Sequence, residues 1–336
     1  MANEHMESLY SALDQAATLL HKQVKTSFVE AATEAGEDLQ TGMINHQDGV
    51  PDADATAKLE ALFAPLDLST FSAEECRQAL QLLLVKAITI DGVEPNKQVT
   101  PDAMAELATF IATVFITPQK ETVKVADLAV GSGNLLFAAM NQLAAALKVK
   151  VQGIGVDNDD TLLAFAGMSS ALQQLDVALY HQDALGPLVV QDADLVVSDL
   201  PVGYYPLDDR AKQFETAAPK GHSYAHHLLI EQSLRALKPG GLGLFFVPSS
   251  VFQSDEAKSL TAWLTRSVHF QGLLNLPQNL FADSKAQKSL LILQNPGPKT
   301  HQVKQVLLGA FPALTDQAAF RQFIASVHDW AKQNLA

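Results

Sequence analysis

The chain has 336 residues, a length typical of about two domains, which is enough to bury a hydrophobic core without disulfides or structural metals. Hydrophobic residues make up 48% and charged residues 18%, a composition that excludes an intrinsically disordered chain. The formal net charge of −14 repels nucleic acids and acidic membrane surfaces, so contact with DNA requires a local patch or a partner protein. Cys76 is the only cysteine, which excludes an intramolecular disulfide and fits a reducing compartment.

The first residues of the chain are acidic and lack the basic and then apolar pattern of a signal peptide. The longest apolar runs, such as residues 242–247, are far shorter than the roughly 18 residues that a membrane span needs. The sequence therefore predicts a soluble, cytoplasmic protein without a membrane segment.

The N-terminal third of the chain has the periodicity of helices. Residues 36–57 are acidic and rich in turn-forming residues, which predicts a loop or linker. Ser72 followed by Glu75 forms a capping box before a second apolar stretch. We expect a helical domain over residues 1–95, which is also the candidate surface for a homodimer. Before the linker, one long amphipathic helix is predicted over residues 6–29 from apolar side chains at steps of three and four, namely Leu9, Leu13, Ala17, Leu20, Val24 and Phe28.

From about residue 123 the pattern changes to short aliphatic runs that alternate with helical stretches. This alternation predicts βαβ units and a doubly wound, mostly parallel sheet with helices on both faces. The segments 268–276, 288–295 and 302–311 follow with little helix between them, so we expect the sheet to end in antiparallel strands. An amphipathic helix over 316–334 closes the chain.

The first predicted strand ends at Asp127 and runs through Gly131 and Gly133 directly into a helix. Glycines allow a tight turn and a close approach to a ligand, and the helix N-terminus adds free N–H groups. Leu136 stands where a dinucleotide fingerprint has its third glycine, and no Gly-Lys-Ser/Thr follows, so ordinary NAD and P-loop binding are disfavoured. A nucleotide-type loop and a ligand-free strand-to-helix turn are the two interpretations.

Acidic residues follow the next two strands. Asp157 ends the second strand, the position from which a carboxylate accepts hydrogen bonds from ribose hydroxyls in a doubly wound sheet. Asp159 or Asp160 is expected to cap the next helix. Asp183 follows the third strand, where it is either an acceptor for an adenine amino group or part of a solvated loop.

The fourth strand ends at Asp199 and is followed by a loop with two prolines, one glycine and two tyrosines. Such a loop at the carboxyl edge of a sheet suits contact with a substrate, whereas an ordinary loop with buried tyrosines is the alternative.

Taken in order, six segments resemble the successive motifs of class I S-adenosylmethionine-dependent methyltransferases. Specifically, they resemble the N6-adenine DNA methyltransferases of type I restriction-modification systems, in which a Thr-Pro pair precedes the first strand as Thr100-Pro101 does here. The chain is also similar over nearly its whole length to the YtxK-like adenine methyltransferase family of Firmicutes. The six segments are 127–136, 153–159, 181–185, 194–206, 226–252 and 276–281.

The resemblance implies a seven-stranded methyltransferase domain over residues 96–312, with residues 313–336 as a helix packed on it. The implied cofactor is S-adenosylmethionine, with the glycine loop at its methionine part, Asp157 at its ribose and Asp183 at its adenine. The implied cofactor contacts are Thr100, Pro101, Asp127, Ala129, Gly131, Ser132, Gly133, Asn134, Asp157, Asn158, Asp183 and Ala184.

The family's catalytic loop has the pattern Asn/Asp/Ser-Pro-Pro-aromatic. Its first side chain and a following carbonyl accept hydrogen bonds from the target amino group, and the aromatic ring stacks on a flipped-out base. Here Asp199 and Pro201 match, but Leu200 replaces the first proline and Val202 replaces the aromatic residue. The implied activity is methyl transfer to an exocyclic amine. The implied catalytic residues are Asp199, Pro201 and, in place of the missing aromatic, Tyr204 or Tyr205.

No block after the catalytic fold is long enough for a target recognition domain, so sequence-specific action on DNA requires a partner specificity subunit. Residues 284–315 hold four lysines and no acid, which makes them either a solvated surface or a track for DNA. Val202 and the acidic net charge favour an alternative, a non-catalytic cofactor-binding module that acts through a protein partner. An amine methyltransferase acting on RNA, protein or a small molecule is a third interpretation, because a fold does not fix a substrate.

His226 and His227 begin a helix without an acid or cysteine at metal-ligand spacing, so we expect a helix-surface or core role and no metal.

Overall fold

The computed structural model describes residues 2–92, 99–117, 121–281 and 286–335. The expected domain boundary between residues 95 and 96 lies outside these residues. The N-terminal helices of the described chain are α1 (Ala2–Val24), α2 (Phe28–Thr41), α3 (Ala53–Phe63) and α4 (Ala73–Asp91).

The prediction of one helix over residues 6–29 is wrong, because the helix is interrupted between α1 and α2. Lys25 adopts a left-handed conformation with φ 61°, and Ser27 then caps α2 in a capping box with Glu30. The Asp91 carboxylate accepts from the first backbone N–H groups of α2, which ties the end of α4 to this new start. The apolar spacing continues across the break because both helices face the same core.

The predicted linker over residues 36–57 is also partly wrong. Helix α2 continues to Thr41 and ends at Gly42, which has φ 68°, while α3 begins after Asp52. Acidic residues in helix α2 gave this stretch the composition of a loop. The Ser72 and Glu75 capping box at the start of α4 is confirmed.

Within the described residues, eight strands form one sheet, in the spatial order β3-β2-β1-β4-β5-β7-β6-β8. The first five strands are parallel, β7 is antiparallel to both β5 and β6, and β6 pairs in parallel with β8. The sheet therefore has one more strand than the resemblance implied, because residues 307–310 add a short edge strand, and the expected antiparallel end is correct only for β7. The strands are β1 (Thr122–Asp127), β2 (Lys150–Asp157), β3 (Val177–His181), β4 (Ala193–Asp199), β5 (Leu237–Pro248), β6 (His269–Asn275), β7 (Lys288–Gln294) and β8 (Leu307–Ala310).

Helices cover both faces of the sheet. Alternate side chains of one strand enter opposite cores: Val125 and Val197 pack on one face, Ala126 and Val196 on the other. This two-sided burial explains the continuous apolar strands in the sequence. The remaining helices are α5 (Asp102–Phe115), α6 (Asn134–Leu147), α7 (Asp160–Leu172), α8 (Asp208–Ala211), α9 (Ala225–Ala236), α10 (Ala257–Ser267) and α11 (Gln317–Asn334).

The N-terminal helices share a core with the sheet domain. Helix α7 contributes Phe165 and Met168 to the apolar cluster of α1, α2 and α4. A Cβ on Gly36 of α2 would lie 2.3 Å from the Met168 sulfur, so the Met168 side chain packs directly over this glycine. Among the described residues, no helix combines the length and apolar character needed to cross a membrane.

Candidate functional site

A cavity of about 720 Å³ opens at the carboxyl ends of β1, β2 and β4, within the range typical of small-molecule sites. It is lined by the glycine loop, the starts of α5 and α7, the loops after β3 and β4, and residues 280–281 and 286–288. The strands bring the predicted residues together here because parallel strands end at one edge. Gly133 and Tyr204 are the predicted site residues that do not line the cavity.

The loop between β1 and α6 turns at two glycines in the left-handed region. Gly131 has φ 50° and Gly133 has φ 82°. A Cβ on Gly133 would lie 2.3 Å from the Phe137 ring, so this glycine packs behind the loop rather than towards the cavity. The N–H of Gly133 donates to the Val130 carbonyl over 2.8 Å and closes the turn.

The Asp157 carboxylate holds the glycine loop against the second strand. Its Oδ2 accepts from the Gly131 N–H at 2.7 Å, and its Oδ1 accepts from the Asp159 N–H at 2.9 Å. Each oxygen keeps capacity for a further hydrogen bond, as a ribose hydroxyl requires. Asp159 caps α7 by accepting from the Leu162 N–H at 3.0 Å, as the sequence predicted for one of the two following acids. Asn158 also lines the cavity.

Asp127 lies beneath the loop and is almost fully buried. Its Oδ1 accepts from the Ala129 N–H at 3.0 Å and from the Ser198 hydroxyl at 2.6 Å. Burial raises the pKa of Asp127 to about 7, because the low-dielectric interior disfavours the charged carboxylate. Asp127 therefore connects the start of the glycine loop to β4.

Asn134 joins the glycine loop to the N-terminal helices. Its Nδ2 donates to the Thr100 carbonyl at 2.8 Å, and its Oδ1 accepts from Nη1 of Arg77 at the same distance. Pro101 lies at the N-cap of α5. Arg77 was not among the predicted site residues; its signal in the sequence is a charged residue within the apolar stripe that Leu80 and Leu84 continue.

Asp199 is held by two side chains from other parts of the chain. Its Oδ2 accepts from the Thr100 hydroxyl at 3.1 Å, and its Oδ1 pairs with Nζ of Lys288. Both partners of this ion pair are largely buried, with 18% and 22% of their side chains exposed. Lys288 was predicted only as part of a basic stretch, and its pairing with Asp199 was not predicted. Strand β7 carries Lys288 to the cavity, because Lys288 pairs with Pro248 in the sheet.

Within the described part of the basic stretch over residues 284–315, the two ends of β7 lie far apart. Lys288 faces the cavity, whereas residue Gly297 packs against Gly240 near the opposite end of β5. Strand β7 separates these ends by about 20 Å. Lys285 lies outside the described residues.

The two tyrosines after Asp199 have different surroundings. Tyr205 is 7% exposed, lines the cavity and donates from its hydroxyl to Asp183 Oδ2 at 2.5 Å. Arg210 pairs with the same oxygen, and burial raises the pKa of Tyr205 to about 12, which keeps it a donor. Tyr204 is 53% exposed at the rim and stacks on Tyr224, with centroids 4.5 Å apart.

The other loop residues lie along the same wall of the cavity. Pro201 and Val202 line it, as does Ala184 after Asp183. Val202 is 41% exposed, so an aliphatic side chain presents itself where the resemblance places an aromatic ring.

His226 and His227 are buried beneath this loop, which agrees with the expected core role. Burial lowers the pKa of His226 to about 3 and that of His227 to about 4. In the described part of the chain, no three His, Cys, Asp or Glu side chains are grouped so as to hold a metal ion.

Two models of known protein families match the chain. Residues 7–88 match the model of the YtxK N-terminal helical domain, and residues 87–318 match that of the N-6 DNA methylase family. The YtxK protein of Bacillus subtilis strain 168 is 36% identical over 333 residues, which cover 99% of both chains.

Solved structures show the same relationship in three dimensions. A Listeria monocytogenes crystal structure assigned to the class I S-adenosylmethionine-dependent methyltransferases matches with a TM-score of 0.90 and 36% identity, covering 98% of this chain and 99% of that one. The methyltransferase subunit of a Streptococcus thermophilus type I restriction-modification system matches with a TM-score of 0.66 over 96% of this chain and 74% of that one; its identity of 16% shows a common fold. The chain therefore belongs to the N-6 DNA methylase family and joins a YtxK-type helical domain to a class I methyltransferase fold.

Proposed function

We propose that this protein transfers a methyl group from S-adenosylmethionine to an exocyclic amine, in the manner of an N6-adenine DNA methyltransferase. The observation that carries the proposal is the position of Asp199. It lies at the carboxyl end of β4 and faces the same cavity as the glycine loop and Asp157. A hydrogen-bond acceptor and a nucleotide-type loop thus share one enclosed space.

The chemistry of the lining fits this cofactor. Five aspartates line the cavity, and Lys288 is the only lysine or arginine among the described lining residues. A negative cavity favours a ligand that carries a sulfonium and an ammonium group. Asp157 suits the ribose hydroxyls, and the loop from Gly131 to Asn134 suits the amino-acid part.

The adenine is assigned to the neighbourhood of Asp183 and Ala184. Asp183 Oδ1 already accepts from the Leu185 N–H at 2.9 Å, and Oδ2 accepts from Tyr205 and Arg210. Asp183 therefore has less free capacity for the adenine amino group than Asp157 has for the ribose. When bound, the cofactor supplies an electrophilic methyl group.

The chain's own contribution is to orient the amine. Asp199 accepts hydrogen bonds from the amino group, which turns the nitrogen lone pair towards the methyl position. The Thr100 hydroxyl and Lys288 fix the Asp199 carboxylate, and the Leu200 N–H anchors the loop to the Phe246 carbonyl at 3.2 Å. Pro201 limits the backbone freedom of the same loop. Tyr205 at the wall and Tyr204 at the rim are the aromatic candidates for contact with a planar acceptor.

A second candidate is a cofactor-binding module without catalysis. The ion pair with Lys288 favours it, because each Asp199 oxygen already has a donor before any acceptor binds. Val202 at the aromatic position favours it too.

Calorimetric titration of the purified protein with S-adenosylmethionine, followed by tritium transfer from labelled cofactor, tests the proposal. Acceptors should include unmethylated genomic DNA, RNA, a protein mixture and small amines, each as a separate reaction. We expect binding and transfer to DNA. Binding without transfer to any of the four would favour the non-catalytic module, transfer only to another acceptor would correct the substrate, and no binding would refute the cofactor.

Action at a specific DNA sequence is proposed to require a specificity subunit, and a homodimer through the N-terminal helices is proposed as the assembly. Leu82, Val85 and Ile90 of α4 are between 45% and 49% exposed, which leaves apolar surface there for a second copy. Light scattering of the native protein and of Val85→Glu should show a dimer that the substitution separates; a native monomer would refute the dimer.

A further inference from the structure

A buried arginine of the helical domain contacts the start of the glycine-loop helix. Arg77 of α4 is 2% exposed. Its Nε and Nη2 donate to Glu74 at 2.9 and 2.6 Å, and its Nη1 donates to Asp102 of α5 at 2.9 Å and to Asn134 at 2.8 Å. Burial of a cation is costly unless such partners surround it, so this arrangement is fixed in one geometry.

From Arg77 the hydrogen bonds continue to the acceptor side of the cavity. Asn134 receives Arg77 on its amide oxygen and donates from its amide nitrogen to the Thr100 carbonyl. Because Arg77 occupies the oxygen, the Asn134 amide is held in one of its two orientations. The Thr100 hydroxyl then donates to Asp199. One series of hydrogen bonds, which passes through the backbone and then the hydroxyl of Thr100, thus connects the helical domain, the glycine loop and Asp199.

Joining the two domains does not require this arginine. Helices α2 and α4 already share an apolar cluster with α7. A planar guanidinium with donors at fixed angles is suited instead to set the position of several acceptors at once, which a lysine ammonium cannot do.

We propose that Arg77 is a positioning residue, through which the helical domain completes the methyltransferase site by orienting Asn134 and Thr100. Arg77 does not line the cavity, so it acts through these two residues. The inference rests on the proposed function of the site, and it makes the helical domain a required part of that site.

The test compares Arg77→Lys and Arg77→Met with Lys86→Met. Lys86 is the matched control because it lies on the same helix and pairs with Asp14 of α1, entirely within the helical domain. Titration with S-adenosylmethionine is done well below the unfolding temperature of every variant. We expect both Arg77 variants to bind about tenfold more weakly, as the loss of a buried charged hydrogen bond predicts, and Lys86→Met to bind like the native protein.

Hydrogen exchange of the protein without ligand provides a readout that does not depend on binding or turnover. The amides of residues 128–136 should exchange about tenfold faster in Arg77→Lys than in Lys86→Met, because the loop loses its fixed amide partner. Asn134→Ala should produce the same change, and the double variant should add little to it, since both residues act through one contact.

A purely structural role for Arg77 predicts lower unfolding temperatures with unchanged affinity and unchanged loop exchange, and that result would overturn the inference. Failure of the native protein to bind the cofactor would instead refute the proposed function, which distinguishes the two failures. If Arg77→Met does not fold, Arg77→Lys and Asn134→Ala still decide the outcome.

Discussion

The two halves of the cavity are built in different ways. On the cofactor side, Asp157 and Asp127 accept from backbone N–H groups of the glycine loop and its neighbours. On the acceptor side, Asp199 is paired with a side-chain cation, Lys288. The first half depends on the local backbone path, and the second depends on side chains brought from distant parts of the chain.

The two halves also differ in how well they match the resemblance: the glycine loop and Asp157 match it, whereas Leu200 and Val202 depart from it on the acceptor side. A loop held by backbone hydrogen bonds tolerates few changes, because its glycines and the Asp157 carboxylate that accepts from it must act together. Ion pairs between side chains change by single substitutions, so the acceptor side is the half in which substrate choice can differ between related proteins. The substitutions below separate the contributions of the two halves.

Removing the acceptor carboxylate should have the largest effect. We expect Asp199→Ala to lower methyl transfer about a thousandfold, because the amine loses the group that orients it, while cofactor affinity stays within a few-fold. Asp199→Asn keeps an acceptor oxygen and should retain much of the activity. Tritium transfer and calorimetry measure both quantities, and undiminished turnover in Asp199→Ala would contradict the role of this residue.

Removing the carboxylate of the cofactor side should weaken binding of the cofactor rather than slow the turnover of cofactor that is bound. Asp157→Ala loses two backbone hydrogen bonds and the acceptor for the ribose, so we expect an affinity about a hundredfold lower. Asp160→Ala is the control, because this exposed acid of α7 does not line the cavity. Equal affinities of the two variants would disprove the assignment of Asp157.

Acid should lower the free energy of unfolding through His226 and His227, which are buried beneath the loop on the acceptor side. Their pKa values, about 3 and about 4, lie below the usual value near 6.5, so the unfolded chain binds protons that the folded chain does not. The free energy of unfolding is therefore highest above pH 6.5 and decreases as the pH falls below this value. The decrease at pH 5 is about 2 kcal/mol for each histidine. Urea unfolding at pH 7 and pH 5 measures this loss.

The control for this prediction is His227→Gln. Its free energy of unfolding should fall between pH 7 and pH 5 by about half as much as that of the native protein. Asp127, whose raised pKa has the opposite effect on stability, is common to both proteins and cancels in the difference. An identical pH dependence in variant and native protein would exclude His227 as a cause.

Breaking the ion pair of the acceptor side should have the smallest effect. Lys288→Met leaves a largely buried carboxylate without its cation, and we expect a loss of about 2 kcal/mol in the free energy of unfolding. Lys299→Met, at an exposed position, should change stability by less than about 0.5 kcal/mol. In an Asp199→Asn background the cost of Lys288→Met should fall, and an unchanged cost would show that the pair does not stabilise the fold.

Much of the fold could be predicted because its signals are local. Alternating aliphatic and helical runs gave the doubly wound sheet, and the strand ends placed the glycine loop, Asp157 and Asp199 at one edge. The helix break at Lys25 was missed because the apolar spacing continues across it and leaves the periodic pattern unchanged. The strand expected within residues 302–311 is present as β8, but it is only four residues long and pairs in parallel with β6.

The sequence by itself determined the fold class and the family, and it predicted that the glycine loop and Asp157 meet at one edge of the sheet, because these signals come from residues close together in the chain. The tertiary structure alone decided that Lys288 pairs with Asp199 and that Arg77 reaches Asn134. These pairs are 89 and 57 residues apart, and their spacing has no periodic signature. The antiparallel return of β7 and the docking of α4 bring them together, and both depend on how the whole chain packs.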